Sequence, residues 1–379
     1  LADPLGAWLL NATYADYDAR KLDRQFQDST GQTAVTASGD KVGLWLDGSQ
    51  FGTKTLAQVV AGQAELNLNP GPFANAIGYT ASSGTLAIVG DEIEQTTSAA
   101  AASVVSIPVT TVVGQFYVLQ YDAHRGSSST ISIQAGTAAA GGAIASATIS
   151  SATSVTGQII FKATTTTTYL QMVNNQAVAG RTGYVRQLSC KAIPGNHGLQ
   201  GTANSRLNYF VSGSRISLTA DALDDNLLSS YLAGPGANSI LFDIDVPATV
   251  SASQVVIGMS GSATARLSLG INTSGQLCAG VGSDANTTIV GSTDWRGQRL
   301  IAALSADGST VKLLTANGEE YSAAQNGSPT TTIPARLAAN NNNGTGSSFF
   351  GGGIARAIIA QKAMDLATFN AIRNQLLAS

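Results

Sequence analysis

The chain has 379 residues, with 20 Lys and Arg against 23 Asp and Glu, a formal net charge of -3. That thin, slightly acidic balance offers no basic stripe to a phosphate backbone or an anionic membrane, which excludes nucleic acid as a partner. With two histidines and two cysteines, the ionisable chemistry that catalysis in water draws on is sparse, so a binding or structural role leads over an enzyme.

At roughly 100 to 200 residues per domain, this length predicts two or three domains, each able to bury a core. Hydrophobic residues make up 44% and aromatic residues 6%, a content that marks a chain folded nearly throughout. No apolar run approaches the roughly 20 residues that span a bilayer, so no membrane insertion is expected. The start, Leu1-Ala2-Asp3-Pro4, lacks a basic region followed by an apolar core, and Leu1 in place of methionine reads as a processed or missing start.

Residues 1–64 form a first block, an N-terminal attachment segment that holds Trp8, Tyr14, Tyr17, Phe26 and Trp45. Turn signals at Asp28-Ser29-Thr30-Gly31 and Ser38-Gly39-Asp40 precede a strand from Val42 to Asp47. Too few residues remain for an independent core, so this block is expected to lean on a neighbour or on another chain. The second block, 65–194, opens with Pro70-Gly71-Pro72. Its short β-branched and aromatic runs are Thr85 to Val89, Val104 to Val109, Phe116 to Tyr121, Thr130 to Gln134, Gln158 to Ala163, Thr168 to Val173 and Tyr184 to Cys190. Alternation is plain in Tyr117-Val118-Leu119-Gln120-Tyr121, and strands at this spacing predict an antiparallel β-sandwich. Ala138 to Ser154, rich in small residues, reads as a loop plus one strand.

The turn cluster Ile193-Pro194-Gly195-Asn196-His197-Gly198 sets a second boundary, and the third block, 195–379, repeats the all-β style. Its strand candidates are Ser214 to Thr219, Ile240 to Val246, Val255 to Met259, Arg266 to Ile271, Gln276 to Val281, Arg299 to Ser305, Val311 to Thr315 and Ala355 to Ala360. Asp307-Gly308 and Asn317-Gly318 flank Val311 to Thr315 as hairpin turns. One helix closes the chain from about Asp365 to Leu377, with Asp365 as cap and an apolar stripe of Leu366, Phe369, Ile372, Leu376 and Leu377 expected to dock on the last sandwich. Cys190 and Cys278 both fall in strand-like segments. They permit one long-range disulfide, but so few cysteines favour two buried free thiols. The fold class is therefore all-β, with two antiparallel sandwiches after a small N-terminal segment and a C-terminal helix.

Three stretches carry a resemblance. Tyr17-Asp18-Ala19-Arg20-Lys21-Leu22-Asp23-Arg24-Gln25-Phe26-Gln27-Asp28, then Gly31 and Val42-Gly43-Leu44-Trp45-Leu46-Asp47, is similar to a segment that recurs in tail and other virion proteins of bacteriophages and prophages, with Ala19 and Arg20 where that pattern has proline and serine. Asn69 to Thr80, with Tyr184 to His197, resembles a carbohydrate-binding-module-like jelly roll and its following linker; Tyr79 stands where that pattern often has tryptophan. Asp307 to Leu313 and Ile354 to Ile359, before a terminal helix, resemble concanavalin-like, laminin-G-like sandwiches. The resemblance implies a component of the virion, an extracellular particle, often a homotrimer, with other virion proteins and host surface polysaccharide as partners.

Candidate site residues follow from side-chain chemistry. His124 and His197 have no second histidine nearby and read as surface or turn residues without a catalytic role. Asp91, Glu92 and Glu94 read as a loop rather than a glycosidase pair. Asp221, Asp224 and Asp225 make a small acidic cluster, and Asp243 and Asp245 share one strand face. Hard oxygen ligands of this kind hold calcium in laminin-G-like sandwiches, as that resemblance implies, so Asp224 and Asp225 are the calcium candidates, against the simpler reading of solvated carboxylates. Trp295 offers a flat face for stacking on sugar, and Asn340-Asn341-Asn342-Asn343-Gly344 offers amides for sugar hydroxyls, against a core tryptophan and a loop tip.

Two functions compete. One is a tail-tip or fibre protein that contacts the host surface through glycan, without enzymatic activity. The other is a purely architectural virion protein, decorating the capsid or bracing the baseplate, with no glycan ligand.

Overall fold

Alternation with a period of two builds sheets, and nearly every element of this chain is a strand. The computed structural model describes residues 3–98, 102–262, 265–282, 288–315, 317–325, 327, 329, 332–342 and 345–378. The fold is all-β with antiparallel sheets and a C-terminal helix, as the alternation predicts. The chain divides into two compact units: one comprises 29–33 and 53–194, the other the residues up to 28, 34–52 and those from 195 on.

The smaller unit has two five-stranded sheets. One runs in the order Gly141–Ile149, Ile131–Ala138, Thr167–Asn174, Ser103–Thr110, Thr80–Ser82; the other runs Val155–Lys162, Phe116–His124, Thr182–Ile193, Glu92–Thr97, Gly84–Val89. Tyr117, Leu119, Ile133, Ile159, Leu170 and Leu188 meet in its core, where each buried aliphatic or aromatic side chain contributes about 1.5 to 3 kcal/mol. Glu92–Thr97 corrects the reading of this stretch as a loop: Ile93 and Gln95 point inward and Glu92 and Glu94 outward, so the carboxylates mark the wet face of a strand. Thr30 lends its carbonyl to the amide of Ile160, and Gly31, at φ 66°, lies against the Ile160 side chain. A six-residue helix, Leu56–Ala61, also belongs to this unit; Thr55 and Gln58 close it with a reciprocal capping box.

The larger unit packs a nine-stranded sheet on an eleven-stranded one. In the first, Asn238–Asp245 lies between Arg299–Ala306 and Gly353–Ala360, and Arg215–Thr219 and Leu207–Ser212 follow beyond. Phe242 and Ile244 face the intersheet core, whereas Leu241 faces the other way, into a second apolar layer under two helices. Those helices are Pro4–Leu9 and Leu366–Ala378. Asp365 caps the latter by accepting the Thr368 amide at 2.7 Å, and Phe369, Ile372 and Leu376 are buried as the stripe predicts. Leu377 is not part of that stripe; it is 54% exposed.

The first block is not a separate segment of 64 residues. Tyr14–Asp18 pairs with Gly353–Ala360, Lys41–Val42 with Leu207–Ser212, and Leu44–Trp45 with Gly198–Leu199. Strands of two residues cannot form a sheet alone, so the block completes the sheets of the third, and Tyr17 and Trp45, with ring centroids 5.4 Å apart, fill the same core. The carboxylate of Asp47 accepts the amides of Asp16, Ser49 and Asn196 at 2.7 to 2.8 Å and the Ser49 hydroxyl at 2.7 Å. The Asp47 amide donates to Nδ1 of His197 at 2.9 Å. Of the two readings of His197, surface or turn, the surface one is corrected: the residue is fully buried. Cys190 and Cys278 are free thiols, Cys190 buried and Cys278 half-buried.

Candidate functional site

Four neighbouring strands of the nine-stranded sheet, Leu207–Ser212, Arg215–Thr219, Gly353–Ala360 and Asn238–Asp245, open a cleft of about 300 Å³. It is lined by Phe210, Ser212, Arg215, Ser217, Thr219, Asp245 and Gly353. Register explains the grouping: Phe210 lies opposite Ser217, Ser212 opposite Arg215, and Gly353 opposite both Thr219 and Asp245, so their side chains share one face. Phe210 is 46% exposed, an aromatic ring presented to solvent at the cleft wall. Gly353 keeps the floor open, because a Cβ there would lie 2.7 Å from Ser217 Oγ and 2.8 Å from Asp245 Oδ2.

Charge in the cleft is fixed by a network. Arg215 donates through Nη1 and Nη2 to Asp243 at 2.9 and 2.8 Å, and through Nε to both oxygens of Asp245 at 3.0 and 3.2 Å. Arg299 adds two more bonds to Asp243, at 3.0 and 2.7 Å. Burial raises the Asp243 pKa, but hydrogen bonds from Arg299 and Arg215 outweigh it and hold the carboxyl below its ordinary range. An adjoining hollow of about 250 Å³ shares Arg215 and is lined also by Arg20, Arg299 and Arg356, with Asp18 and Asp16 pairing Arg20 and Arg356. Four guanidinium groups thus face four carboxylates. Arg215 is shared by the two hollows, so this charge network adjoins the exposed ring of Phe210 in the cleft.

The smaller unit has a cleft of about 340 Å³ lined by Gln120, Tyr121, Thr156, Gly157, Gln158 and Gln187. It is polar and uncharged, and its one aromatic residue, Tyr121, is buried.

Trp295 does not supply a stacking platform. It packs in the intersheet core with 8% of its surface exposed, because the turn after Thr288–Asp294 folds back, with the Trp295 amide on the carbonyl of Gly275. The asparagine run is not a loop tip either: Asn340–Asn342 is a strand paired with Thr345–Ser347 and with Gln254–Ser262. Asn341 is fully buried and donates to the carbonyl of Pro334 at 2.7 Å, Asn340 is half-buried, and Asn343 and Gly344 lie outside the described residues. The structure brings Trp295 and the asparagines to separate places in the larger unit. Asp243 and Asp245 are ion-paired, which removes them as calcium ligands.

Asp221, Asp224 and Asp225 do converge, with one oxygen of each within 4.8 Å of the others. His124 places Nε2 3.3 Å from Glu92 Oε2 and stacks on Tyr184 at 4.5 Å between ring centroids, an intrasheet contact. Tyr79 is buried, accepting from Asn67 Nδ2 at 2.9 Å and packed edge-on against Phe73. Sequence reasoning missed Phe210. The available signal was the run Leu207-Asn208-Tyr209-Phe210, in which alternation puts Tyr209 inward and leaves Phe210 facing out.

No protein-family model matches this chain, and no curated protein matches it. Among solved structures it is similar to the CBM40 of a Ruminococcus gnavus IT-sialidase bound to α2,3-sialyllactose, at 21% identity over 37% of this chain and 84% of that one, with a TM-score of 0.31. A mutant of the NanB sialidase from Streptococcus pneumoniae matches at 19% identity over 37% of this chain and 24% of that one, TM-score 0.31. A Trypanosoma rangeli sialidase mutant matches at 9% identity over 45% and 30%, TM-score 0.32. These are partial likenesses.

Proposed function

We propose that this protein binds glycan without turning it over, and that its ligand seat is the cleft between Phe210 and Asp245. The exposed ring of Phe210 beside the Arg215–Asp245 pair carries this reading: an apolar face for the C–H side of a pyranose stands next to charged groups that bond its hydroxyls. The volume suits one or two sugar rings. Asp245, the carboxylate that lines the cleft, and Asp243 in the adjoining hollow are both committed to guanidinium groups, which favours holding a ligand over protonating a glycosidic oxygen.

The particle setting rests on residues 17 to 47, whose sequence resembles bacteriophage virion proteins. In that setting the chain is a tail-tip or fibre component that meets a host surface polysaccharide, and several weak sites on one particle add by avidity. The test is binding of the purified full chain to susceptible cells and to their isolated polysaccharide, with competition against particle adsorption. Saturable binding that blocks adsorption, lost in Phe210→Ala and without release of reducing ends, is the expected result. Absence of saturable binding sinks the reading and leaves an architectural role.

A further inference from the structure

Where a sheet ends, its last strand presents amides and carbonyls without a neighbour, and an edge left bare pairs with another chain. Most edges among the described strands are blunted. In the smaller unit, the Ile160 amide of Val155–Lys162 donates to the Thr30 carbonyl. Gly141–Ile149 breaks register opposite Ala135 and Gly136 and gives its Ser146 carbonyl to Gln32 at 3.0 Å, and Thr80–Ser82 has only three residues. In the larger unit, Lys41–Val42 and Gln25–Phe26 have two residues each, and Glu320–Ala324 begins with a carboxylate paired to Lys312. Thr288–Asp294 spends its Ser292 amide on the Tyr321 hydroxyl at 2.9 Å.

Gly84–Val89 is different. It is the last strand of its sheet, six residues without charge or proline, and among the described residues nothing bonds to its outer side. Leu86 and Ile88 point into the core yet stay half-buried, because no strand beyond them covers that side, whereas Thr85, Ala87 and Val89 face solvent. The parity of the edge is fixed. Thr97, opposite Gly84, uses its amide and carbonyl on Arg181 and Gly180 across the sheet, and the two-residue turn Gly90–Asp91 makes Val89 and Glu92 a bonded pair. Alternation therefore aims the backbone groups of Gly84, Leu86 and Ile88 outward.

We propose that Gly84–Val89 is a pairing edge whose occupant is the same strand of a second copy of this chain, antiparallel about a two-fold axis at Ala87. In that register Leu86 exchanges both backbone bonds with Ile88 of the second copy, as the outward parity requires, and both half-buried side chains gain the cover they lack. Ala87 faces its own counterpart. A strand that pairs with itself brings like charges together, and this one carries none. Glu92 and Glu94 stand one strand further in, so each lies three strand spacings, about 14 Å, from its counterpart, beyond the Debye length of about 8 Å at physiological salt. Six paired residues per copy make a contact well below the roughly 1,600 Å² of a standard interface, so a dissociation constant of about 10 μM to 1 mM is expected. The pairing edge belongs to the smaller unit and does not rest on the glycan reading.

The test is sedimentation velocity of the full chain from about 5 μM to 1 mM, where a monomer–dimer equilibrium is expected. Ala87→Lys sets two ammonium groups face to face in the dimer, but in the monomer its side chain lies opposite Glu94, so circular dichroism should stay native while dimerisation weakens at least tenfold. Ala87→Cys supplies a positive readout. Its counterpart Cα would lie about 4.5 Å away, within disulfide reach, so mild oxidation should link the copies. Thr85→Cys faces Val89 of the second copy instead and should link no more than the unaltered protein, whose Cys190 and Cys278 set the baseline. A chain that stays monomeric over the whole range overturns the proposal. So does a dimer or larger oligomer that Ala87→Lys leaves unchanged, or a Thr85→Cys that links as readily as Ala87→Cys.

Discussion

Arg215 grips Asp243 end-on through both terminal nitrogens, at 2.9 and 2.8 Å, while the Asp243 side chain is only 6% exposed. That geometry ties Arg215–Thr219 to Asn238–Asp245 across the intervening strand Gly353–Ala360, and it positions the guanidinium whose Nε reaches Asp245 in the cleft.

Replacing Asp243 with alanine is expected to cost about 3 kcal/mol, because Arg215 and Arg299 would then face each other without their shared anion. Urea denaturation measures it; a loss under about 0.5 kcal/mol would make the network surface decoration.

The pH dependence of stability has two opposing arms. Asp243 has a folded pKa below its unfolded value, so its contribution is present above about pH 4 and is lost as pH falls through the depressed folded value. Asp47, fully buried, has a folded pKa raised to about 6 from 3.8, burial being the chief cause. Its contribution is complete below the unfolded value and is lost as pH rises through about 6. Denaturation midpoints across pH 2 to 8 should flatten on the acid arm in Asp243→Asn and on the neutral arm in Asp47→Asn.

Two aromatic substitutions should separate binding from folding. Phe210→Ala removes an exposed ring, and binding to polysaccharide should weaken about tenfold, about 1.4 kcal/mol, with stability nearly unchanged. Trp295→Ala empties a core site, and stability should drop by about 3 to 5 kcal/mol while the remaining folded protein still binds. The reverse pattern would move the glycan seat to Trp295.

Gly353→Ala puts a methyl group between Ser217 Oγ and Asp245 Oδ2, at 2.7 and 2.8 Å before relaxation. Binding should fall at least tenfold with native circular dichroism retained. Undiminished binding would place the ligand elsewhere.

Trp45 is fully buried in the core of the larger unit. Trp45→Ala should therefore lower the stability of that unit by about 3 to 5 kcal/mol. A neutral outcome would return residues 1–64 to the status of a separate attachment segment.

The sequence by itself determined the elements. Alternation is a local property, so Phe116–His124, Arg299–Ala306 and Gly353–Ala360 were legible from side-chain spacing, as was the helix that Asp365 caps. Glu92–Thr97 escaped because its outward residues are acidic and resemble a loop when read without a partner strand. Tertiary structure alone decided pairing, and pairing decided the sites. Nothing local shows that Tyr14–Asp18 would close on a strand more than 300 residues away, that Trp295 would be covered and Phe210 left bare, or that Gly353 would lie opposite Asp245. Spacing along one strand fixes which side chains share a face; which strands lie side by side depends on long-range burial, and a cleft is made of neighbours from different strands.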